Sequence, residues 1–181
     1  MPLRSPQPQL RPALQSPGPA LREVVDEADR PLCLLPEAAL LRQELRHRAV
    51  ALAILDDKGR ALLRPRADGW DFSSRALPQA MEAAEDCCRR LLGTEWRLPA
   101  VAPRVLRRVD ACPETGMAVL TLFTARIPEA TARELAAPGA LTPEGLPLLD
   151  AVELAGIAEQ EPPILAPLLR HAVRASWLAA E

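Results

Sequence analysis

Glu82, Glu85 and Asp86 crowd the start of a helical stretch, close enough in sequence to share one face. Carboxylates grouped in this way can hold a hard divalent cation. They are also what the positive end of a helix dipole favours, and that is the plainer reading. Arg64 and Arg66 sit two residues apart on a strand, where forked guanidinium donors could bind phosphate. Two charges on an exposed strand edge would look the same. His47 stands at the entrance of an apolar strand, where a backbone hydrogen bond explains it; His171 lies on a terminal helix as a surface or packing residue. Cys33, Cys87, Cys88 and Cys112 match no zinc spacing. The adjacent pair points about 100° apart on a helix and cannot readily bridge. All four read as reduced, partly buried thiols. Trp70 and Phe72 read as core and not as a stacking platform.

The elements that must position these residues can be read along the chain. Glu23–Glu27 and Leu32–Leu35 are predicted strands either side of a turn. A helix is predicted from Pro36, a first-turn position that suits proline, to Arg46. Ala49–Leu55 is an almost wholly apolar, buried strand, and Asp56–Gly59 is a turn into a return strand over Arg60–Arg66. Gly69–Ser74 is a loop or short strand. Met81, Ala84, Cys88 and Leu91 recur at helical spacing, so a helix is predicted over Gln79–Leu92, with Gly93 as its stop. Strands follow at Arg104–Asp110, where apolar and polar residues alternate, at Met117–Ile127 and at Leu148–Val152. Helices are expected at Pro128–Ala136, Glu153–Gln160 and Ile164–Ala180. This order fits an α/β (α+β) sandwich with helices flanking a mixed sheet.

The chain's 181 residues are nearly half hydrophobic, with a formal net charge of −2. That is one domain's worth, with no basic footprint for nucleic acid. No apolar run reaches the ~20 residues of a membrane span, and the N-terminus lacks the apolar region of a secretory signal. Residues 1–21 hold six prolines, at positions 2, 6, 8, 12, 17 and 19, and are expected to be a disordered tail before a single domain over 22–181. A cytoplasmic protein is expected. Lys58 is the only lysine and tyrosine is absent, which reflects base composition.

Four motifs come in a telling order: Val24-Val25-Asp26-Glu27, Leu45-Arg46-His47-Arg48-Ala49-Val50, Asp57-Lys58-Gly59-Arg60-Ala61-Leu62-Leu63 and Trp70-Asp71-Phe72-Ser73. This ordered set resembles the Nudix superfamily, and within it the isopentenyl-diphosphate-isomerase-like branch. The likeness runs from Glu23 to Arg97, about two fifths of the chain. It implies a Nudix-type α/β/α sandwich. In that family a helix carries Gly, five residues, Glu, seven residues, then Arg-Glu-apolar-any-Glu-Glu-any-Gly. Its glutamates bind Mg²⁺ or Mn²⁺ to neutralise a diphosphate and activate water, and its arginine pairs with a glutamate to hold it.

Aligned on this pattern, Glu82 keeps the early glutamate, Arg90 the arginine and Glu95 the last metal glutamate. Ala76 and Arg97 stand where glycines belong, and Leu91 and Thr94 where metal glutamates belong. Gly93 is expected to fray the helix before Glu95. The resemblance implies a metal-dependent hydrolase of organic diphosphates, a nucleoside diphosphate linked to another moiety, using Mg²⁺ or Mn²⁺. Glu95 and Glu82 would be its metal and catalytic residues, with Arg90 beside them and Arg64 and Arg66 on substrate. The replacements at 91 and 94 imply weak or lost activity. The alternative is a non-catalytic module that binds a small-molecule diphosphate or a protein partner, as a monomer or homodimer. His47 matches a metal-binding histidine of true isomerases, yet the isomerase's catalytic cysteine motif has no counterpart at Ser74-Arg75-Ala76, and isomerase activity is not implied.

Overall fold

The computed structural model describes residues 20–178. The expected tail lies outside the described residues except for Ala20 and Leu21, and Leu21 already opens the first strand. β1 (Leu21–Val25) and β2 (Pro31–Pro36) form a hairpin, followed by the short α1 (Glu37–Arg42) and the long β3 (His47–Leu55). The expected helix over Pro36–Arg46 is thus shorter, with Pro36 at its cap position. β4 (Ala61–Leu62), β5 (Arg64–Arg66), β6 (Gly69–Asp71) and β7 (Ser74–Ala76) lead to α2 (Ala84–Glu95). β8 (Arg104–Val109), β9 (Ala118–Arg126), α3 (Glu129–Ala136), β10 (Leu148–Leu149), α4 (Ala151–Gln160) and α5 (Pro167–Arg174) complete the order.

β3 is the axis of a mixed eight-stranded sheet. It runs parallel to β9 and antiparallel to β1, β4 and β7. Its sequence explains this position, because alternate side chains leave a strand on opposite faces and both sets here are apolar. Ala49, Ala51 and Ala53 pack against Leu154 and Ala158 of α4 and Leu168, Leu169 and Ala172 of α5. Val50, Leu52 and Ile54 pack against Cys87, Cys88, Leu91 and Leu92 of α2, with Trp96 and Ala132. The sheet therefore carries an alanine face and a valine–leucine face, each covered by helices. Two of its turns share one device. Asp26 accepts from the backbone N–H of Ala28 and Arg30, and Asp56 from those of Lys58 and Arg60. Each aspartate also pairs with the arginine's side chain.

Several predicted boundaries moved for identifiable reasons. The helix expected over Gln79–Leu92 begins at Ala84 and continues to Glu95. Its early start fails because Met81 is left-handed (φ 65°) and the Glu82 carboxylate accepts from the Gln79 N–H. Gly93 does not stop it. Leu91, Leu92 and Trp96 are buried around it, and that burial outweighs a helix-interior glycine's cost of about 0.5–1 kcal/mol. The return strand breaks at Leu63, whose N–H donates to the Pro147 carbonyl. The strand over Leu148–Val152 ends at Leu149, because Asp150 and Glu153 form a capping box that starts α4. The terminal helix is split by Pro167, which holds Ala166 extended (ψ 147°). β8 is an exposed edge strand with a bulge between Val105 and Arg107 that interrupts its alternation of apolar and polar residues. No helix among the described residues is long and apolar enough to cross a membrane.

Candidate functional site

Four of the predicted site residues, Arg64, Glu82, Arg90 and Glu95, gather on the α2 side of the sheet. Val50 pairs with Ala76 and Leu52 with Ser74 across β3 and β7, so Ser74 and Ala76 face α2 with the valine–leucine set. The Ser74 hydroxyl donates to Glu95 Oε2 at 2.7 Å and accepts from Trp96 Nε1 at 2.8 Å. Arg64 Nη1 donates to the same Glu95 oxygen at 2.6 Å, and its guanidinium lies 4.9 Å over the Trp96 ring. Of the sequence-predicted residues, Arg64 and Glu95 are thus brought together as an ion pair.

Glu82 and Arg90 form a second pair nearby. Arg90 grips the carboxylate with two parallel bonds of 2.8 Å, and also approaches Cys87 Sγ at 3.4 Å. The guanidinium, with help from the Gln79 N–H, holds the Glu82 carboxyl below its ordinary value against the opposing effect of burial. Burial pushes the Cys87 thiol up to about 11 and Cys88 to about 12, so neither is a nucleophile at neutral pH. Glu85 and Asp86 are exposed in the first turn of α2 and pair with Arg89, as their dipole reading requires. Arg97 takes a left-handed backbone (φ 57°) where the family pattern has glycine.

These residues do not fit a magnesium site. Mg²⁺ takes carboxylate oxygens in near-octahedral order and sheds water reluctantly. Leu91 is 2 % exposed and sits in the apolar core. The Thr94 hydroxyl donates to the Arg90 carbonyl of its own helix. Glu95 and Glu82 each have an arginine as counter-charge. Among the described residues no group of three or more His, Cys, Asp or Glu side chains converges as metal ligands.

The opposite face holds a cavity of about 470 Å³ between the sheet, the 3-10 turn Pro113–Thr115 and the start of α5. Arg66, Arg75 and His47 line it. Arg75 reaches this side because its register partner is Ala51 of the alanine face. Arg66 is carried by the β5–β6 hairpin, a separate two-stranded sheet. That hairpin is pinned beneath α5: a Cβ on Gly69 (φ 120°) would lie 2.6 Å from the Ile164 carbonyl oxygen, and the Ala166 N–H donates to the Trp70 carbonyl. Asp71, fully buried, lies between Arg66 and Arg75 with one oxygen 3.2 Å from a nitrogen of each. Burial raises its carboxyl, opposed chiefly by Arg75. His47 Nδ1 bonds the Leu45 carbonyl at 2.7 Å, which is the backbone role expected of it. Burial lowers its pKa, so it is a neutral imidazole whose Nε2 is left as an acceptor.

Sequence reasoning missed Trp96, Asp71 and Arg75. Arg75 was findable, since alternation along β7 from the buried Ser74 puts it on the other face. Trp96 gave no local signal, because Ser74 lies 22 residues away in sequence and its stacking arginine still further; Asp71 stands close in sequence to Arg66 and Arg75, and its i,i+4 spacing to Arg75 was a local signal. His171 makes an edge contact with Trp177 at 5.1 Å. Trp70 packs against the alanine-face core that contains Phe72.

No protein-family model matches the chain, and no curated protein matches it. Solved structures do. The crystal structure of DR0079 from Deinococcus radiodurans is 19 % identical over 86 % of this chain and 97 % of that one, with a TM-score of 0.68. The NMR solution structure of DR0079, a hypothetical Nudix protein from D. radiodurans, is 17 % identical over 89 % and 96 %, with a TM-score of 0.51. The chain therefore has a Nudix-type fold, a mixed sheet flanked by helices.

Proposed function

We propose that this chain is a divergent member of the Nudix superfamily in which diphosphate hydrolysis is weak or lost, and that it works by binding a small organic diphosphate or related anion. The observation that carries the reading is at α2. Leu91 is core where a metal carboxylate is needed, and the remaining Glu95 is neutralised by Arg64. An arginine there supplies the positive charge that a metal would otherwise bring. A guanidinium cannot lower the pKa of a bound water as a divalent metal does. Four free thiols support a reducing, cytoplasmic setting.

The second reading is a metal-dependent hydrolase with Glu95 and Glu82 as ligands. It is favoured by one observation: Arg90 still grips Glu82 as the family's arginine grips its glutamate. Calorimetric titration with Mg²⁺ and Mn²⁺, together with phosphate release from a panel of nucleoside-linked diphosphates, separates the two. The binding reading expects no metal uptake and no turnover. Turnover that Glu95→Gln or Glu82→Gln abolishes would establish the hydrolase instead.

A further inference from the structure

We propose that the groove between the β5–β6 hairpin and the loop from α3 to β10 is a docking slot for the proline-rich segment 1–19 of this chain. The assignment is independent of the reading of α2 and goes beyond it.

The slot is built from aromatic and proline rings. It has a volume of about 510 Å³, and Pro65, Trp70, Leu146 and Pro147 line it together with the exposed Glu144. Pro65 and Trp70 are register partners across the hairpin, so their side chains stand beside each other on one face. The facing wall is fixed. Gly145 (φ 84°) passes so close to α3 that an added Cβ would lie 2.5 Å from the Ala136 carbonyl oxygen. The Leu146 N–H donates to the Ala136 carbonyl at 2.9 Å, and the Leu63 N–H to the Pro147 carbonyl at 2.9 Å. The Thr142 hydroxyl donates to the Gly145 carbonyl at 2.7 Å. On the hairpin side, the bond from the Ala166 N–H to the Trp70 carbonyl holds the ring in place. An aromatic ring set among prolines on rigid walls takes the rings of an extended proline-rich chain, which is stiff beforehand and loses little freedom on binding.

Residues 1–19 have the matching chemistry. They carry six prolines, Arg4 and Arg11, and no aspartate or glutamate. Glu144 is the acid among the described lining residues. A polyproline II chain repeats every three residues at ~3.1 Å each, so Pro8 and Arg11 fall on one edge about 9 Å apart. That spacing offers a ring to Trp70 and a guanidinium to Glu144.

The direction of β1 sends the segment toward the slot. β9 runs along β3 from His47 to Leu55, so β1, β7 and β4 share the other edge of β3. β1 meets that edge at His47 and β4 meets it at Ile54. At ~3.3 Å per residue the two points are about 23 Å apart. β1 is antiparallel to β3, so the chain that precedes Leu21 leaves toward the β4 end. There the bond between Leu63 and Pro147 ties the slot to the sheet. From Arg11 to Ala20 an extended chain covers about 28 Å at ~3.1 Å per residue, enough to close the distance.

The test is NMR on the full chain. Cross-relaxation is expected between the Trp70 ring and the ring protons of Pro8 or Pro12. The N–H order parameters of Leu10 and Arg11 should approach the ~0.85 of rigid backbone, and both signals should persist on tenfold dilution. Glu144→Arg, at an exposed position, should abolish the cross-peaks and drop those order parameters below about 0.6. Adding Arg11→Glu to that variant should restore them, which a general loss of structure would not allow. Order parameters below about 0.6 at Leu10 and Arg11 in the unaltered chain, or cross-peaks that survive Glu144→Arg, would overturn the proposal. Cross-peaks that vanish on dilution would also overturn it, in favour of a second copy's segment as the occupant. None of these outcomes bears on metal uptake or turnover at α2.

Discussion

Leu91 and Glu95 are one helical turn apart on α2 and have opposite surroundings. Leu91 lies among Cys87, Leu92 and Trp96, while Glu95 is half-buried against Arg64 and Ser74. Placing the Nudix pattern's glutamate with Leu91→Glu should therefore not create a metal site. It should cost roughly 3 kcal/mol or more in urea unfolding, because a buried carboxylate is left unpaired, and calorimetry should still find no Mg²⁺ uptake. Glu82 gives a pH signature. Its folded pKa is lowered, chiefly by the Arg90 fork, so the pair's stabilisation is fully present above the ordinary value of 4.5 and is lost as pH falls through the lower folded value. Glu82→Gln should flatten the stability curve in that acid window and leave its slope near neutral pH unchanged. Thiol labelling checks the burial of Cys87 and Cys88: an exposed-thiol reagent should modify Cys33 at once and this pair only after unfolding.

Among the elements, α2 and the β5–β6 hairpin show how far tertiary contacts overrule local preference. Gly93 lies inside α2, and the nearest atom to an added Cβ is Pro99 Cβ at 4.0 Å, an ordinary contact. Gly93→Ala should raise stability by about 0.5–1 kcal/mol in a thermal or urea melt. Gly69 is the reverse case. Its Cβ would collide with backbone at 2.6 Å, and neither chain segment can move without breaking the bond from the Ala166 N–H to the Trp70 carbonyl. Gly69→Ala should lower Tm and loosen the hairpin that carries Arg66, with faster amide exchange at Ala166 as the local readout.

For the whole molecule, the sheet is a partition. Ser74 and Ala76 turn one way and Arg75 the other, so the Glu95 network and the ion-paired cluster of Arg66, Asp71 and Arg75 lie on separate faces without a shared partner. Combining Arg66→Ala with Glu95→Gln should change stability additively, within roughly 0.5 kcal/mol. A larger interaction in that cycle would mean that the faces communicate. Much of this architecture was legible in the chain itself. The double apolar alternation of β3, the Asp-and-glycine turn at Asp56–Gly59, and the ordered motifs from Glu23 to Ser73 were local signals, and local signals survive folding. The resemblance likewise implied that Arg90 pairs with a glutamate, and it grips Glu82. What the tertiary structure alone decided are the relations between distant segments. Burial around Gly93 carried α2 on to Glu95, Arg64 arrived from another strand to neutralise it, and the hairpin beneath α5 set Arg66 beside Asp71 and Arg75. Composition and periodicity can say which side chains leave a given strand or helix together. Which separate elements meet is settled by how their apolar faces pack, and no single stretch of sequence contains that information.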